Sequence, residues 1–367
     1  MKILFDARWI RVDVPNDGIS RYSSNLVTEL IKYPDINLTV LIHDKQQLDS
    51  LPDSIPYIKV HNPGNILKEY RIARNLNSYN FDIVYSPFFI MGSRGRNYHL
   101  ILTIHDLIYF THQTPPQWLK WHIRLVWRLF HLSYKPLRCL LNTADIIATV
   151  SNTARRDLLD HKITDCPIYT VFNAVSQNFV DTKPSNHARS HRVVYMGAFT
   201  PYKNVECLIR AVAIIPNIVL DLCSKIPPKR RRQIEALIDQ HNIKDRVVIY
   251  NGVSDQQYHQ LLHNARCLAT ASRLEGFGLP IIEAQQAGVP VICSNTAIFH
   301  EVGQDSVLYF DPDSPSQAAA QITLLGKESE SQSVIKRGYA NARRYTWQKS
   351  AQQAVTIFKS IVKQDKF

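Results

Sequence analysis

The sequence predicts an α/β protein with two Rossmann-like, doubly wound domains facing each other across a cleft. Short apolar runs, of the length expected for buried parallel strands, alternate with stretches of helical period along the chain. The alternation is interrupted by a polar segment, residues 181–190, and then restarts. Two such series imply two parallel sheets, and ligands of such sheets bind at the carboxyl ends of the strands.

The first series gives an N-terminal domain over residues 1–180. Helical pattern fills most of the gaps between its strands, most clearly over Ser20–Tyr33 and Trp118–Leu141. The predicted strands are Ile3–Ala7, Leu38–His43, Ile83–Ser86, Leu100–His105, Ile146–Val150 and Tyr169–Phe172.

The second series gives a C-terminal domain over residues 191–345, with 181–190 as the linker. The tail, residues 346–367, shows helical pattern over Ala351–Val362. The predicted strands of the second domain are Val193–Met196, Ile218–Leu222, Val247–Tyr250, Cys267–Ala271, Val289–Cys293 and Val307–Phe310.

Composition limits the class of partner and the compartment. A chain of 367 residues with 45% hydrophobic residues is long enough for two globular domains. The formal net charge of +12 favours an anionic partner, such as nucleic acid, a membrane face or a phosphorylated substrate. The six cysteines form no C-x-x-C pair, which is typical of reduced thiols in the cytoplasm. Asp6 comes too early for a signal peptide, and no apolar run approaches the ~20 residues of a membrane span.

Two carboxylates near the C-terminal third carry most of the chemical information. Glu275 and Glu283 are separated by seven residues, and a glycine-rich turn with Gly276 and Gly278 lies between them. Glycines let backbone N–H groups approach a ligand closely. Pro280 suits the first turn of a helix, whose N-terminus attracts phosphate or another anion.

A short helix over Ile281–Ala287, ending at Gly288, would place Glu283 in its first turns. A carboxylate that faces sugar hydroxyls beside a phosphate cradle indicates a nucleotide-sugar site. The alternative is an ordinary strand–loop–helix connection with two incidental glutamates, because short glycine patterns have many false positives.

The segment from Ser272 to Ala284 closely resembles the E-x7-E motif of retaining glycosyltransferases of family 4, which have the GT-B fold. The resemblance continues through residues 288–295 and 301–303 and ends near 310–312. It implies transfer of a sugar from a nucleotide diphosphate sugar with retention of anomeric configuration, and it implies no metal or other cofactor. It also implies that Glu275 acts on the donor sugar as a catalytic residue and that Glu283 accepts from the ribose hydroxyls. The other donor-binding residues that it implies on this loop are Arg273, Gly276, Phe277, Gly278 and Leu279. It further implies that the C-terminal helix, within residues 346–367, crosses back to the N-terminal domain; packing on the second domain is the alternative.

A second donor segment follows the first strand of the second domain. Gly197 comes directly after this strand, and Lys203 lies six residues later at a helix start, which suits a phosphate site. Taken alone, a lysine such as Lys203 is more often a solvated surface residue than a ligand for phosphate. Its position matches the family lysine that holds the donor diphosphate. Many relatives also carry an arginine in this loop, and residues 198–202 contain none; Arg273 and Arg21 are the candidates to replace it.

His105 follows the strand Leu100–Ile104 and is paired with Asp106. A histidine at the carboxyl end of a strand can serve a substrate hydroxyl or phosphate near neutral pH. Alternatively, it is a turn histidine and Asp106 caps the next segment. The pair resembles the His-Asp step of family 4, which implies a catalytic position for His105 near the donor sugar.

The first loop, from Asp6 to Ser20, is not a G-x-G-x-x-G dinucleotide fingerprint. Its end, Gly18 to Tyr22, resembles the Gly-Ile-Gly-Arg-Tyr segment of some family members, with Ser20 in place of the second glycine. The resemblance implies donor or acceptor contacts for Gly18 and Arg21. A plain surface loop before a helix is the alternative.

Residues 116–138 combine basic and aromatic residues. Lys120, Arg124 and Arg128 are spaced by four and share one helical face. Tryptophan and leucine occupy other positions, a composition typical of helices that lie on anionic membranes. An amphipathic core helix with a solvated cationic row is the alternative. The tryptophans and leucines at these other positions include Trp118, Trp121, Leu125, Leu129 and Leu132.

The sequence therefore predicts a hexosyltransferase at the cytoplasmic face of the cell membrane. We expect it to move a sugar, with mannose from GDP-mannose as the first choice, to a hydroxyl of a growing lipid-linked cell-surface glycan. We expect no nucleic-acid partner, since no nucleic-acid motif is visible. The alternatives are a UDP-sugar transferase, a phosphorylase or an epimerase on the same fold, or a non-catalytic protein that binds a membrane or nucleic acid.

Overall fold

A computed structural model describes residues 1–13, 17–115, 120–175 and 190–364. The chain divides into two compact units. The first unit is Met1–Ala174 together with Trp347–Phe367, and the second is Val175–Thr346. The predicted linker falls outside the described residues except for Ser190.

The first unit contains a parallel sheet of seven strands in the order β3-β2-β1-β4-β5-β6-β7. The strands are β1 Lys2–Asp6, β2 Asn37–Ile42, β3 Tyr57–Lys59, β4 Ile83–Ser86, β5 His99–Ile104, β6 Ile146–Thr149 and β7 Ile168–Thr170. The helices are α1 Gly18–Leu30, α2 Ile66–Leu76, α3 Ile108–Thr111, α4 Trp121–His131, α5 Lys135–Leu141 and α6 Asn152–Asp160.

The second unit contains a parallel sheet of six strands in the order β10-β9-β8-β11-β12-β13. The strands are β8 Arg192–Tyr195, β9 Val219–Leu222, β10 Val247–Ile249, β11 Cys267–Thr270, β12 Val291–Ser294 and β13 Leu308–Phe310. The helices are α7 Val205–Ile214, α8 Pro228–Gln240, α9 Asp255–His263, α10 Leu279–Gln286, α11 Ala297–Gly303, α12 Pro315–Leu324 and α13 Glu328–Ala342.

The α/β fold class with two Rossmann-like sheets is confirmed. The central strands are buried along their length, as their continuous apolar runs predict, and β4, β6, β11 and β12 are buried at every position. One strand, β3, was missed. It is three residues long, pairs with β2 at the edge of the sheet and exposes alternate residues, so it lacks the apolar run that marks an interior strand.

The helix predicted over Trp118–Leu141 is wrong as one element. Trp118 lies outside the described residues, and the structure forms two helices, α4 and α5, with a break at Leu132–Tyr134. Pro136 occupies the first turn of α5. A proline there lacks the N–H that a continuous helix needs and is tolerated only in a first turn, which explains the division.

The C-terminal helix α14, Trp347–Gln364, belongs to the first unit and packs along α1. Its side chains bind both backbone groups of Phe172, which follows β7. The Phe172 N–H donates to Gln353 Oε1 at 3.0 Å, and Ser350 Oγ donates to the Phe172 carbonyl at 2.7 Å. Phe358 meets the ring of Tyr85 on β4 at 5.8 Å. This helix is therefore an integral part of the first unit's core.

Each sheet has one point where the strand order reverses direction, between β1 and β4 and between β8 and β11. Loops that leave the carboxyl ends of the strands diverge there and open a crevice in which ligands bind. In the second unit, the loop after β8 carries Gly197 and Lys203, and the loop after β11 carries Glu275. The topology therefore brings the two predicted donor segments together.

Candidate active site

Hydrogen bonds with Tyr195 and Ser224 hold the loop after β8 in place. Tyr195 is fully buried, and its hydroxyl donates to the Ala198 carbonyl at 2.8 Å. A Cβ on Gly197 would lie 2.9 Å from the same hydroxyl, so a larger residue would displace the contact. The Gly197 N–H donates to Ser224 Oγ at 3.1 Å. Burial, followed by the nearby charge of Glu275, raises the pKa of Tyr195 far above its ordinary value, which keeps this hydroxyl a donor.

The loop after β11 leads into helix α10. Gly278 caps the helix with φ of +99°, and a Cβ there would lie 2.9 Å from the ring of Phe299, so both backbone and packing require glycine. Pro280 lies in the first turn, as predicted. The helix ends at Gly288 with φ of +70°, where the Val289 N–H donates to the Ala284 carbonyl at 2.8 Å. Helix α10 is therefore capped at both ends, by Gly278 at its start and by a Schellman motif at its end.

Lys203 and Glu275 form an ion pair. Lys203 Nζ lies 2.5 Å from Glu275 Oε1, and the two side chains are 17% and 14% exposed. The ring of Tyr202 lies 5.7 Å from the same ammonium, within the range of a cation–π contact. The ammonium predicted for the diphosphate and the carboxylate predicted for the sugar are thus direct neighbours, 72 positions apart in the chain.

Glu283 lies in the second turn of α10 and is 3% exposed. Its carboxylate is therefore almost removed from bulk water, in contrast to Glu275. The side chain of Glu275, in the loop after β11, is 14% exposed, whereas Glu283 is buried within α10. A buried acceptor suits a ligand hydroxyl that is itself enclosed on binding.

Three other residues that were predicted to bind the donor differ in their contacts and burial. Arg273 pairs with Asp313 at 2.5 Å in an exposed ion pair, and its backbone N–H donates to the Tyr202 carbonyl, so it fastens the two loops together. Phe277 is buried edge-on against Tyr345, so a donor contact from this residue falls to its backbone. Leu279 is the first residue of α10 and is half-buried.

The sequence analysis missed a residue that braces the loop after β8. Arg230, in the first turn of α8, donates from Nε to the Phe199 carbonyl at 2.7 Å and pairs with Glu206. Its signal was present in the run Lys229–Arg232, because cations at a helix start oppose the helix dipole and require a compensating partner. The partners lie on other elements, so the sequence did not name them.

In the first unit, His105 follows β5 and is partly buried. Its Nε2 lies 2.9 Å from the Pro87 carbonyl, so this nitrogen carries the proton and Nδ1 has the acceptor lone pair. Burial lowers the pKa of His105, and the bond to Pro87 only partly opposes this, so the neutral form is favoured. Asp106 accepts the N–H of Ile108 at 2.9 Å and thereby shapes the start of α3.

The first loop is anchored by a buried charge cluster that the sequence did not reveal. Arg8 is 2% exposed and forms two-pronged pairs with Asp6, at 2.7 and 2.9 Å, and with Glu69, at 2.8 and 3.0 Å. Burial raises the pKa of Glu69, but the hydrogen bonds and charge of Arg8 outweigh it, so the pKa lies below its ordinary value. Gln47 adds hydrogen bonds to three carbonyls, those of Ala7, Arg8 and Ile10.

The end of this loop forms the start of α1. Asp17 caps the helix by accepting the Ser20 N–H, and Ser20 Oγ accepts the Arg11 N–H at 2.9 Å. The serine that replaces a glycine of the family pattern thus ties the loop to the helix. Gly18 is exposed, and a Cβ there would meet open space, so packing within the chain does not demand glycine. Arg21 lies in the first turn and is half-buried.

The two parallel sheets, with these loops at the strand-order reversals, define a glycosyltransferase of the GT-B class. Residues 16–179 match the sequence model of "Glycosyltransferase Family 4", and residues 179–344 match that of "Glycosyl transferases group 1". Together the two matches cover most of the chain. The chain belongs to glycosyltransferase family 4.

Several relatives of the chain are named as mannosyltransferases. The chain is 27% identical to "O-antigen chain mannosyltransferase B" of Escherichia coli, over 98% of this chain and 100% of the relative. It is 26% identical to "O-antigen chain mannosyltransferase RfbU" of Salmonella typhimurium, over 58% of this chain and 56% of the relative.

Solved structures share the fold at low sequence identity. A sucrose-phosphate synthase of Thermosynechococcus elongatus superposes with a TM-score of 0.75 at 18% identity, over 99% of this chain and 100% of that chain. HepE of Anabaena, solved with UDP and glucose, superposes with a TM-score of 0.74 at 18% identity, over 98% of this chain and 100% of that chain.

Proposed function

We propose that this glycosyltransferase moves mannose from GDP-mannose to a hydroxyl of a growing, lipid-linked cell-surface glycan, with retention of configuration and without a metal ion. The observation that carries the proposal is the juxtaposition of Lys203 and Glu275 beside the N-terminus of α10. A cation for phosphate and a carboxylate for sugar hydroxyls are the two groups that a sugar diphosphate demands. The names of the mannosyltransferase relatives support the choice of sugar and of glycan.

In this proposal, the second unit supplies the electrostatics for the leaving group. As the bond between sugar and diphosphate breaks, negative charge grows on the diphosphate, and Lys203 and the amides at the start of α10 stabilise it. Glu275 holds the sugar hydroxyls and stabilises the positive charge that develops at the anomeric carbon. Glu283 accepts from the ribose hydroxyls. Because Lys203 carries the charge that a metal supplies in other transferases, the reaction requires no divalent ion.

His105 is proposed to accept a hydrogen bond from a hydroxyl of the donor sugar at Nδ1. With Nε2 bound to the Pro87 carbonyl, Nδ1 is the nitrogen that can accept a sugar hydroxyl. The lowered pKa keeps this lone pair available at neutral pH. His105 thus positions a hydroxyl and does not act as an acid.

Helix α4 is proposed to bind the enzyme to the anionic inner face of the cell membrane. Trp121, Leu125, Leu129 and Leu132 follow helical spacing and are all exposed, with Trp121 at 78% and Leu132 at 65%. Lys120, Arg124 and Arg128 run beside this apolar row. Apolar side chains bordered by cations suit the boundary between lipid headgroups and acyl chains. None of the helices within the described ranges is long and apolar enough to cross a bilayer.

A nucleotide panel tests the donor. We expect GDP to raise the melting temperature more than UDP or dTDP, and GDP-mannose to be consumed in the presence of a mannosyl acceptor and EDTA. NMR of the product would show the α-anomer, as in the donor. Stabilisation by UDP alone would move the donor to a UDP-sugar, and loss of turnover in EDTA that Mg²⁺ restores would overturn metal independence. Epimerised donor would indicate an epimerase.

Vesicle binding tests the membrane proposal. We expect co-sedimentation with vesicles of phosphatidylglycerol and phosphatidylethanolamine, and at least a tenfold loss of binding on Leu125→Asp with Leu129→Asp. Leu67→Asp, which changes a leucine on α2 that is 85% exposed, is the control. Equal binding by the α4 variant and the control would contradict a role for this helix.

A further inference from the structure

In the second unit, Lys203 of the proposed phosphate site is already paired with a carboxylate of the same unit, that of Glu275. Lys203 Nζ and Glu275 Oε1 are 2.5 Å apart, and both side chains are less than one-fifth exposed. A charge-assisted hydrogen bond in such partly buried surroundings is much less weakened by solvent than a surface pair. An incoming diphosphate therefore meets a lysine that is engaged.

The diphosphate and the sugar of the donor each need one member of this ion pair: the diphosphate needs Lys203, and the sugar needs Glu275. A diphosphate oxygen that takes the ammonium must displace the Glu275 carboxylate or share the lysine with it. A donor sugar compensates the displaced carboxylate, because its hydroxyls donate to carboxylate oxygens. A free nucleoside diphosphate lacks the transferred sugar and its hydroxyls, so it opens the pair without giving Glu275 a new partner.

We propose that Glu275 is an internal competitor of the nucleotide diphosphate for Lys203. The intact donor separates the pair and satisfies both halves, whereas the product diphosphate satisfies only the lysine. After transfer, Glu275 returns to Lys203 and promotes departure of the product. This role rests on the proposed function and adds a second task to Glu275, discrimination between donor and product.

Calorimetric titration with GDP tests the competition. Glu275→Gln keeps the shape of the side chain but removes the charge that holds Lys203. We expect GDP to bind this variant roughly five- to tenfold more tightly than the parent, about the factor that one lost charge-assisted contact supplies. Unchanged or weaker GDP binding by Glu275→Gln would overturn the proposal.

Two further variants separate competition from general repulsion. In a Lys203→Met background, Glu275→Gln should change GDP affinity less than twofold, since no ammonium remains to be contested. A change as large as that seen with Lys203 present would overturn competition in favour of simple charge repulsion. Glu235→Gln removes an equal charge from an exposed pair with Arg231 on α8 and should leave GDP affinity unchanged.

The outcome for the parent distinguishes this inference from the donor assignment. If UDP binds the parent and GDP does not, the donor nucleotide is wrong, and tighter UDP binding by Glu275→Gln still supports the competition. If neither nucleotide binds the parent or Glu275→Gln, both the donor site and the competition are overturned.

Discussion

The rings of Tyr22 and His105 form a T-shaped pair, with their centroids 5.2 Å apart and their planes at 82°. Tyr22 lies in the first turns of α1 and is the last residue of the Gly18–Tyr22 segment. The Tyr22 hydroxyl is hydrogen-bonded to that of Tyr85 at 2.6 Å, and the ring of Trp347 lies 5.9 Å from the Tyr22 ring. The tyrosine at the end of the Gly18–Tyr22 segment therefore orients a predicted catalytic histidine from within the first unit.

Removal of this ring should impair turnover. Tyr22→Leu frees the imidazole to rotate, and we expect kcat to fall roughly ten- to hundredfold, the usual effect of a small misplacement. Tyr22→Phe keeps the ring and should stay within a few-fold of the parent. Steady-state kinetics on both variants, with melting temperatures to exclude unfolding, measure the difference. Equal kcat for the two variants would refute the orienting role.

The pH profile should report a neutral His105. Burial lowers its pKa from the ordinary 6.5, so an imidazole needed in its neutral form stays active as the pH falls through 6.5. We expect the acid limb of kcat/KM to lie below 6.5 in the parent and to disappear in His105→Gln, whose residual activity should be low. An acid limb above 6.5 that vanishes in the variant would contradict the lowered pKa.

Substitutions of the two motif glutamates should affect different quantities, turnover for Glu275 and nucleotide affinity for Glu283. Glu275→Gln removes charge stabilisation from the transition state, and we expect kcat to fall about a hundredfold or more. Glu283→Ala removes the proposed ribose acceptor, and we expect GDP affinity to fall roughly tenfold or more. Calorimetry and steady-state kinetics on both variants check the division. Unchanged GDP affinity in Glu283→Ala would refute the ribose assignment, and parental turnover in Glu275→Gln would refute the catalytic one.

Arg230 should act on donor use through the loop after β8. Arg230→Met releases the Phe199 carbonyl, and we expect KM for the donor to rise roughly ten-fold, the scale of one lost charge-assisted bond, with a smaller change in kcat. Arg230→Lys should recover part of the loss. Arg231→Met, in which the lost pair lies on α8 itself, is the control. A parental KM in Arg230→Met would show that the loop holds its shape without this contact.

Arg8 should dominate the stability of the first unit. Arg8→Met leaves the buried carboxylates of Asp6 and Glu69 without their cation, and we expect a loss of about 3–5 kcal/mol in the free energy of unfolding. Lys359→Met breaks an exposed pair with Asp35 and should cost less than about 1 kcal/mol. Denaturant titration of both variants gives the comparison, and similar losses would refute the special weight of the buried cluster.

The same cluster sets a direction for acid sensitivity. The pKa of Glu69 is depressed in the folded chain, so its contribution is present above the unfolded value, near the ordinary 4.5, and is lost as the pH falls through the lower folded value. We expect stability to decline below pH 4.5 in the parent, and this decline to be smaller in Glu69→Gln. A steeper decline in Glu69→Gln than in the parent would contradict a lowered pKa of Glu69 in the folded chain.

The sequence by itself determined the fold class, because short, largely apolar runs such as Ile83–Ser86 that alternate with helical pattern are typical of strands buried on both faces of a parallel sheet. It also determined the proline and the end of α10, since Pro280 and Gly288 act through their own backbone. The family resemblance named Lys203, Glu275, Glu283 and His105, but their roles stay predictions. The sequence did not reveal β3, whose edge position requires no apolar run, nor the break between α4 and α5.

Only the tertiary structure decided which distant charges meet. Lys203 and Glu275, Arg8 and Glu69, and Arg230 and the Phe199 carbonyl are joined by contacts across separate strands and helices. Periodicity reports which face of an element is buried and carries no information about which residue of another element lies opposite. Strand order supplies that information. By setting β8 beside β11, it turned two separate motifs into one ion pair.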